Sequence, residues 1–189
     1  ERFIQDAFSM LAEAGSVVDL LCFEITESVA LNDLGNTNRF IDKVRGLGAK
    51  VALDDFGAGY TSFSYLRELS ADAVKIDGAF VHDVTAHPAN LAIVEAIAEL
   101  SRNLGMKTIA EWAEDVATVE ALTEVGVDYV QGFAIARPLA PERILAAQSS
   151  AELIEDQQVA RFVTERILHA SDLVRWQPTA GSRHWYRPH

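Results

Sequence analysis

The sequence predicts an α/β fold, the larger part of a (β/α)8 TIM-like barrel with about five of its strands, and three observations carry that expectation. Short β-rich runs alternate with longer helical patterns from Leu20 to Phe133. The short runs are near-continuous in apolar residues, as burial on both faces of a parallel sheet requires. Each run carries a polar or charged residue near its C-terminal end. A barrel draws its functional groups from the ends of many strands, whereas an open doubly wound sheet collects ligands at one switch point.

The elements follow in order. The segment FIQDAFSMLAEAG reads as a helix from the start of the chain. The expected strands are LLCFEIT, KVALDDF, AVKIDG, MKTIAEW and VDYVQGF. Between them lie the helical patterns TNRFIDKVRGLG, SFSYLREL, NLAIVEAIAELSRNLG and DVATVEALTEVG. Three of these four end in glycine, the usual residue just past a helix C-terminus. Ile93, Ile97, Leu100 and Leu104 recur at helical spacing and form a face to pack on the sheet. No glycine-rich dinucleotide fingerprint follows any strand. Pro141 suits the first turn of a last helix, after which the chain changes character. Residues 1–148 are therefore assigned to the barrel, and 149–189 to a polar link, an amphipathic helix and a basic, aromatic tail.

Composition bounds the function. Of 189 residues 49% are hydrophobic, enough for a substantial core, and the net charge of −12 argues against DNA or an anionic membrane surface as a partner. Cys22 is the single cysteine, so no intrachain disulfide can form, and it is expected as a small buried hydrophobe in a reducing, cytoplasmic setting. His82, His87, His169, His184 and His189 show no metal-ligand spacing and are expected at the surface.

The strand ends carry the chemistry. Glu24, Asp54, Asp55 and Glu111 are carboxylates on three strand ends, and Lys75 is a lysine on a fourth. Like charges a few ångströms apart stay ionised only if cations neutralise them. An all-carboxylate set without His or Cys selects a hard divalent cation, Mg²⁺, Mn²⁺ or Ca²⁺ rather than Zn²⁺. Adjacent Asp54 and Asp55 would point to opposite faces of a continuous strand, so the chain must begin to turn there for both to reach one rim. From residue types alone, two-metal phosphodiester hydrolysis and an enolase-like site with a lysine base both remain open.

Five ordered motifs, FEITES at 23–28, DDFGAGYTSF at 54–63, VKIDGAF at 74–80, AEWAED at 110–115 and QGFAIARPL at 131–139, resemble the EAL domains that hydrolyse the second messenger cyclic di-GMP. The resemblance implies a barrel of the EAL type and a two-metal Mg²⁺ or Mn²⁺ site. It implies that Glu24, Asp54, Asp55 and Glu111 are metal ligands, that Lys75 and Glu111 are catalytic, and that Glu27, counted with them, steadies the loop after the Asp pair. Gln131 and Trp112 are implied as substrate contacts, and the reaction as hydrolysis of cyclic di-GMP to linear pGpG by a metal-activated hydroxide. The alternative is an EAL-fold receptor or interaction module without turnover. Trp112 stands where the family usually has glycine, and its indole either stacks on a guanine or packs under the next loop. The Glu-Ala-Leu motif and the asparagine of the following strand are absent, so the chain reads as N-terminally truncated. The parent is expected to be the phosphodiesterase, with sensory or GGDEF domains beside the barrel and a homodimer as its assembly. This segment alone is expected to be inactive and, with two open sheet edges, prone to self-association.

Overall fold

The computed structural model describes residues 2–59 and 63–171. At its centre is a five-stranded parallel sheet: β1 (Cys22–Thr26), β2 (Lys50–Phe56), β3 (Ala73–Ile76), β4 (Lys107–Ala110) and β5 (Tyr129–Val130). The strands are hydrogen-bonded in the order of the sequence. Sequential parallel order without a reversal is one arc of a βα barrel and rules out the doubly wound alternative, whose strand order reverses at the switch point. Among the described residues β1 and β5 each pair on one side only.

Eight α-helices lie among the described residues: α1 (Arg2–Glu13), α2 (Glu27–Asn32), α3 (Leu34–Gly46), α4 (Gly78–Val81), α5 (Pro88–Asn103), α6 (Val116–Glu124), α7 (Pro141–Ala146) and α8 (Gln157–Ser171). The three glycine stops behave as expected. Gly48, Gly105 and Gly126 follow α3, α5 and α6 with φ of 108°, 76° and 83°, a conformation that reverses the chain at little cost only without a Cβ. One expected helix is corrected: SFSYLREL contains only a 3₁₀ turn, Phe63–Arg67. Tyr65, Leu66 and Leu69 all enter the core, so the segment is anchored along its length and a single tight turn suffices. The strand read through Gly78 stops at Ile76, because the Asp77 side chain accepts from the Ala79 N–H at 2.7 Å and starts α4. The amphipathic helix expected after residue 149 is α8, and it packs on the main core through fully buried Val159 with Phe162 and Val163. The basic, aromatic run 175–189, with His184 and His189, lies outside the described residues. No described helix is long and apolar enough to cross a membrane.

The sheet has two unlike faces. Val51, Leu53, Val74, Ile76 and Ala110 point towards the helices and join the large core. Alternate residues Ala52, Ala73 and Ile109, with Cys22 and Tyr129, form a separate small cluster on the opposite face. Alternation of side chains along a strand separates these two sets.

The N-terminal ends of the strands are closed by a repeated ionic device. Asp72, just before β3, accepts from the Val51 N–H at 2.9 Å and pairs with Lys50 and Arg45, each at 3.3 Å. Asp128, just before β5, accepts from the Thr108 N–H at 2.9 Å and pairs with Lys107 at 2.6 Å.

Candidate metal and substrate site

Counting two residues onward from each member of the small cluster gives the site. Cys22, Ala52, Ala73, Ile109 and Tyr129 lead to Glu24, Asp54, Lys75, Glu111 and Gln131, all on the same face and one step nearer the C-terminal rim. Strand period alone thus delivers five of the residues expected from the motifs to one layer.

At the middle of that layer stands Lys75. Its Nζ lies 3.0 Å from Glu24 Oε2, 2.7 Å from Asp54 Oδ1 and 2.9 Å from Glu111 Oε1, and its side chain is only 6% exposed. Burial works against the ammonium, but its contacts with Asp54, Glu111 and Glu24 outweigh that, and the lysine pKa is held above its usual 10.5. Lys75 is therefore a fixed cation at neutral pH and a donor. Glu111 is pushed the other way from a typical carboxylate: burial raises its pKa, Lys75 opposes this, and the charges of Asp54 and Asp55 add to it.

Asp54, Asp55 and Glu111 each offer a carboxylate oxygen within 4.8 Å of the others. Glu24 meets this group at Lys75. Two local features bring the adjacent aspartates to one place. The β2–β3 register slips between Leu53 and Phe56, and Asp55 adopts a left-handed backbone with φ of 54°. That conformation costs about 1–2 kcal/mol for most residues and is tolerated best by Gly, Asn and Asp. The donor set fits a hard divalent cation. All its ligands are carboxylate oxygens, and those of Asp54, Asp55 and Glu111 converge at one place.

Glu27 does not touch Lys75. It opens α2, is 4% exposed, and accepts from the Gly57 N–H at 3.1 Å and from the Tyr65 hydroxyl. It therefore grips the turn that follows the Asp pair. Gly57 must be glycine there: its φ is 96°, and a Cβ would lie 2.7 Å from the Phe80 ring. Burial and the hydrogen bond to Glu27 raise the Tyr65 pKa, keeping the phenol protonated as a donor.

Trp112 and Gln131 share a concavity of about 390 Å³ with Glu114, Gly132 and Phe133. The Gln131 N–H donates to Ala110 O at 2.8 Å, which aligns the end of β5 with that of β4 and sets this concavity next to Glu111. Trp112 also has a left-handed backbone, φ 57°, and its indole rests on Gly78 while staying 63% exposed. The sequence reading did not single out Phe133, Tyr65 or Gly78. Phe133 lies in the turn just after β5, beyond the reach of strand period. Tyr65 and Gly78 carry no local signal, since each acts on a partner distant in sequence.

A partial βα barrel with a carboxylate rim built for a divalent cation is the class these features define. The chain belongs to the EAL domain family, whose model matches residues 1–138. The cyclic di-GMP phosphodiesterase PdeB of Shewanella oneidensis is 42% identical over 118 residues, which is 62% of this chain and 14% of that protein. The cyclic di-GMP phosphodiesterase PdeF of Escherichia coli is 35% identical over 137 residues, 72% of this chain and 18% of that protein. The chain thus spans less than a fifth of the length of these curated relatives. Among solved structures, the EAL domain of Mycobacterium smegmatis DcpA matches with a TM-score of 0.69 and 31% identity, over 80% of this chain and 65% of that one. The PaMucR phosphodiesterase in complex with c-di-GMP matches at 0.63 and 36%, over 67% of this chain and 51% of that one. A manganese and cyclic di-GMP complex of Klebsiella pneumoniae BlrP1 matches at 0.61 and 31%, over 64% of this chain and 31% of that one.

Proposed function

We propose that the protein hydrolyses cyclic di-GMP to linear pGpG at the carboxylate rim, with Mg²⁺ or Mn²⁺ in a two-metal site. The observation that carries this reading is Lys75 held by Glu24, Asp54 and Glu111 from three other strand ends, beside Asp55. The family match, the relatives named as phosphodiesterases and the manganese complex of a neighbour support it. When bound, the divalent cations supply Lewis acidity and lower the pKa of a water. Glu24, Asp54, Asp55 and Glu111 are the residues that would hold them. Lys75, permanently charged, orients the attacking water by donating to it and offsets the carboxylates around it. Glu27 fixes the turn that carries Asp54 and Asp55 through Gly57. Gln131 and Trp112 contact the substrate from the adjoining concavity. The enolase-like reading loses its base, because a lysine held above its usual pKa by three carboxylates is a poor proton acceptor.

The great length of the relatives, and the naming of one of them, MucR of Pseudomonas aeruginosa, as a bifunctional diguanylate cyclase and phosphodiesterase, support additional signalling domains in the parent. Dimeric assembly and a cytoplasmic location belong to the same reading, as does the division into a barrel at 1–148 and an appended segment at 149–189. The test is the full-length protein with Mn²⁺ or Mg²⁺ and cyclic di-GMP, following pGpG, beside Glu111→Ala. Turnover abolished by Glu111→Ala is expected; tight binding by the wild type without turnover would make it a receptor instead.

A further inference from the structure

Asp55 and Trp112 are the described non-glycine residues with a left-handed backbone. Asp55 uses that conformation to join the carboxylates, but Trp112 gains no burial from it, with 63% of its surface exposed. Its indole is fixed by something else. A Cβ at Gly78 would overlap the Cγ and Cδ2 atoms of Trp112 and stand 2.8 Å from Cε3. Gly78 does not have a positive φ and sits at the first position of α4, where alanine is a better helix former. Its backbone therefore has no need of glycine, while the indole above it does.

The ring so placed lines the concavity that also holds Gln131, Glu114 and Phe133. Phe133 is 53% exposed, with the Arg137 guanidinium 4.4 Å from its ring centre. Trp112 follows Glu111 directly, so a ligand whose phosphodiester lies at the carboxylates has its base within reach of an aromatic surface. Every base offers a π-face, and an aromatic group already held in place loses little freedom when it stacks.

We propose that Gly78 is a positioning residue for substrate binding: by leaving its backbone bare it seats the Trp112 indole as a preformed platform on which one guanine of the cyclic dinucleotide stacks. The inference rests on the cyclic di-GMP reading above, and its test separates the two. Kd for cyclic di-GMP is measured by calorimetry in the full-length protein and in its Gly78→Ala, Trp112→Ala and doubly substituted forms, with Ca²⁺ at the carboxylates, the cation of a neighbour's solved cyclic di-GMP complex. In parallel, Trp176→Phe and Trp185→Phe leave Trp112 as the sole indole of this segment, so that its emission and its quenching by ligand can be followed. Each single substitution should weaken binding about tenfold, and the double no further, because both remove one platform. Gly78→Ala should also shift Trp112 emission and reduce its quenching. The proposal is overturned if Gly78→Ala leaves Kd and emission unchanged, or if it weakens binding equally with and without Trp112. Coupling seen in thermal stability alone, with Kd unmoved, also overturns it. A wild type that binds cyclic di-GMP without hydrolysing it in Mn²⁺ removes the phosphodiesterase reading and leaves the platform standing. One that binds no cyclic di-GMP removes both.

Discussion

The two ends of the sheet use the same residue types for opposite purposes. At the N-terminal end Asp72 faces Lys50 and Arg45, Asp128 faces Lys107, and each aspartate also accepts from a strand N–H. Every charge there has a partner. At the C-terminal end one lysine serves Glu24, Asp54 and Glu111, and Asp55 stands beside them. The first arrangement is self-sufficient and holds strands in register. The second carries an excess of negative charge that folding alone would select against: burial raises the Glu111 pKa first, and the charges of Asp54 and Asp55 add to it against the opposing Lys75. A surplus of one sign concentrated at one end of a sheet is the mark of a binding site, and a balanced end is the mark of a scaffold.

The largest test of this contrast exchanges a lysine at each end. Lys75→Met should lower cyclic di-GMP hydrolysis at least ~100-fold, the usual span for losing a fixed donor aimed at the reacting groups. Lys50→Met, at a partly buried pair whose aspartate keeps Arg45, should leave turnover unchanged and cost about 1 kcal/mol of stability. Equal losses of turnover in the two variants would end the division into site and scaffold. Next in size is Asp72→Ala, which strands the Val51 N–H and two cations together. It should cost ~1–3 kcal/mol in urea unfolding while the Mn²⁺ affinity of the folded protein stays put.

The parts of this contrast that sequence made legible are those set by strand period. Glu24, Asp54, Lys75, Glu111 and Gln131 share one face because alternation leaves no other choice, and their polarity amid apolar runs flagged them. What stayed hidden depends on backbone sign and on distant pairs. Nothing local in the sequence announces that Asp55 and Trp112 take positive φ, or that β2 slips its register at the Asp pair. The segment around Tyr65 forms a 3₁₀ turn and not the helix its pattern predicts, because its apolar residues are fixed by tertiary anchoring and a side-chain hydrogen bond to Glu27, 38 residues away. Trp112 was noticed as a departure from the family pattern, yet its seat on Gly78 emerges only in three dimensions.

That hidden link gives the third test. Tyr65→Phe keeps the ring, which packs 6.4 Å from Phe56, and removes only the hydroxyl that Glu27 accepts from. Loss of one such bond from a buried carboxylate should cost about 1–3 kcal/mol. If Glu27 positions the aspartates through Gly57, Mn²⁺ affinity should fall several-fold as well. An unchanged metal titration in the face of lowered stability would assign the Tyr65–Glu27 pair to the scaffold instead of the site.

The smallest effect tests how far the rim's charge reaches. Cys22 lies one step beneath Glu24 on the same face of the sheet, and its thiol is pushed up from 9.0 to about 12, first by burial and then by the Glu24 charge, with Asp72 adding to it. A thiol raised in the folded state favours folding fully below its ordinary pKa, and that contribution drains away as pH climbs towards about 12. The thiolate is the reactive form, so near pH 9 the folded protein should alkylate at Cys22 at least ~100-fold more slowly than the urea-unfolded chain. As the single cysteine in the sequence, its modification can be read directly by mass. Glu24→Gln, which keeps the volume and removes the charge, should speed that alkylation by a few-fold if the rim field extends one layer down. No acceleration would mean that burial alone holds the thiol, and that the negative charge of the rim is confined to the layer that uses it.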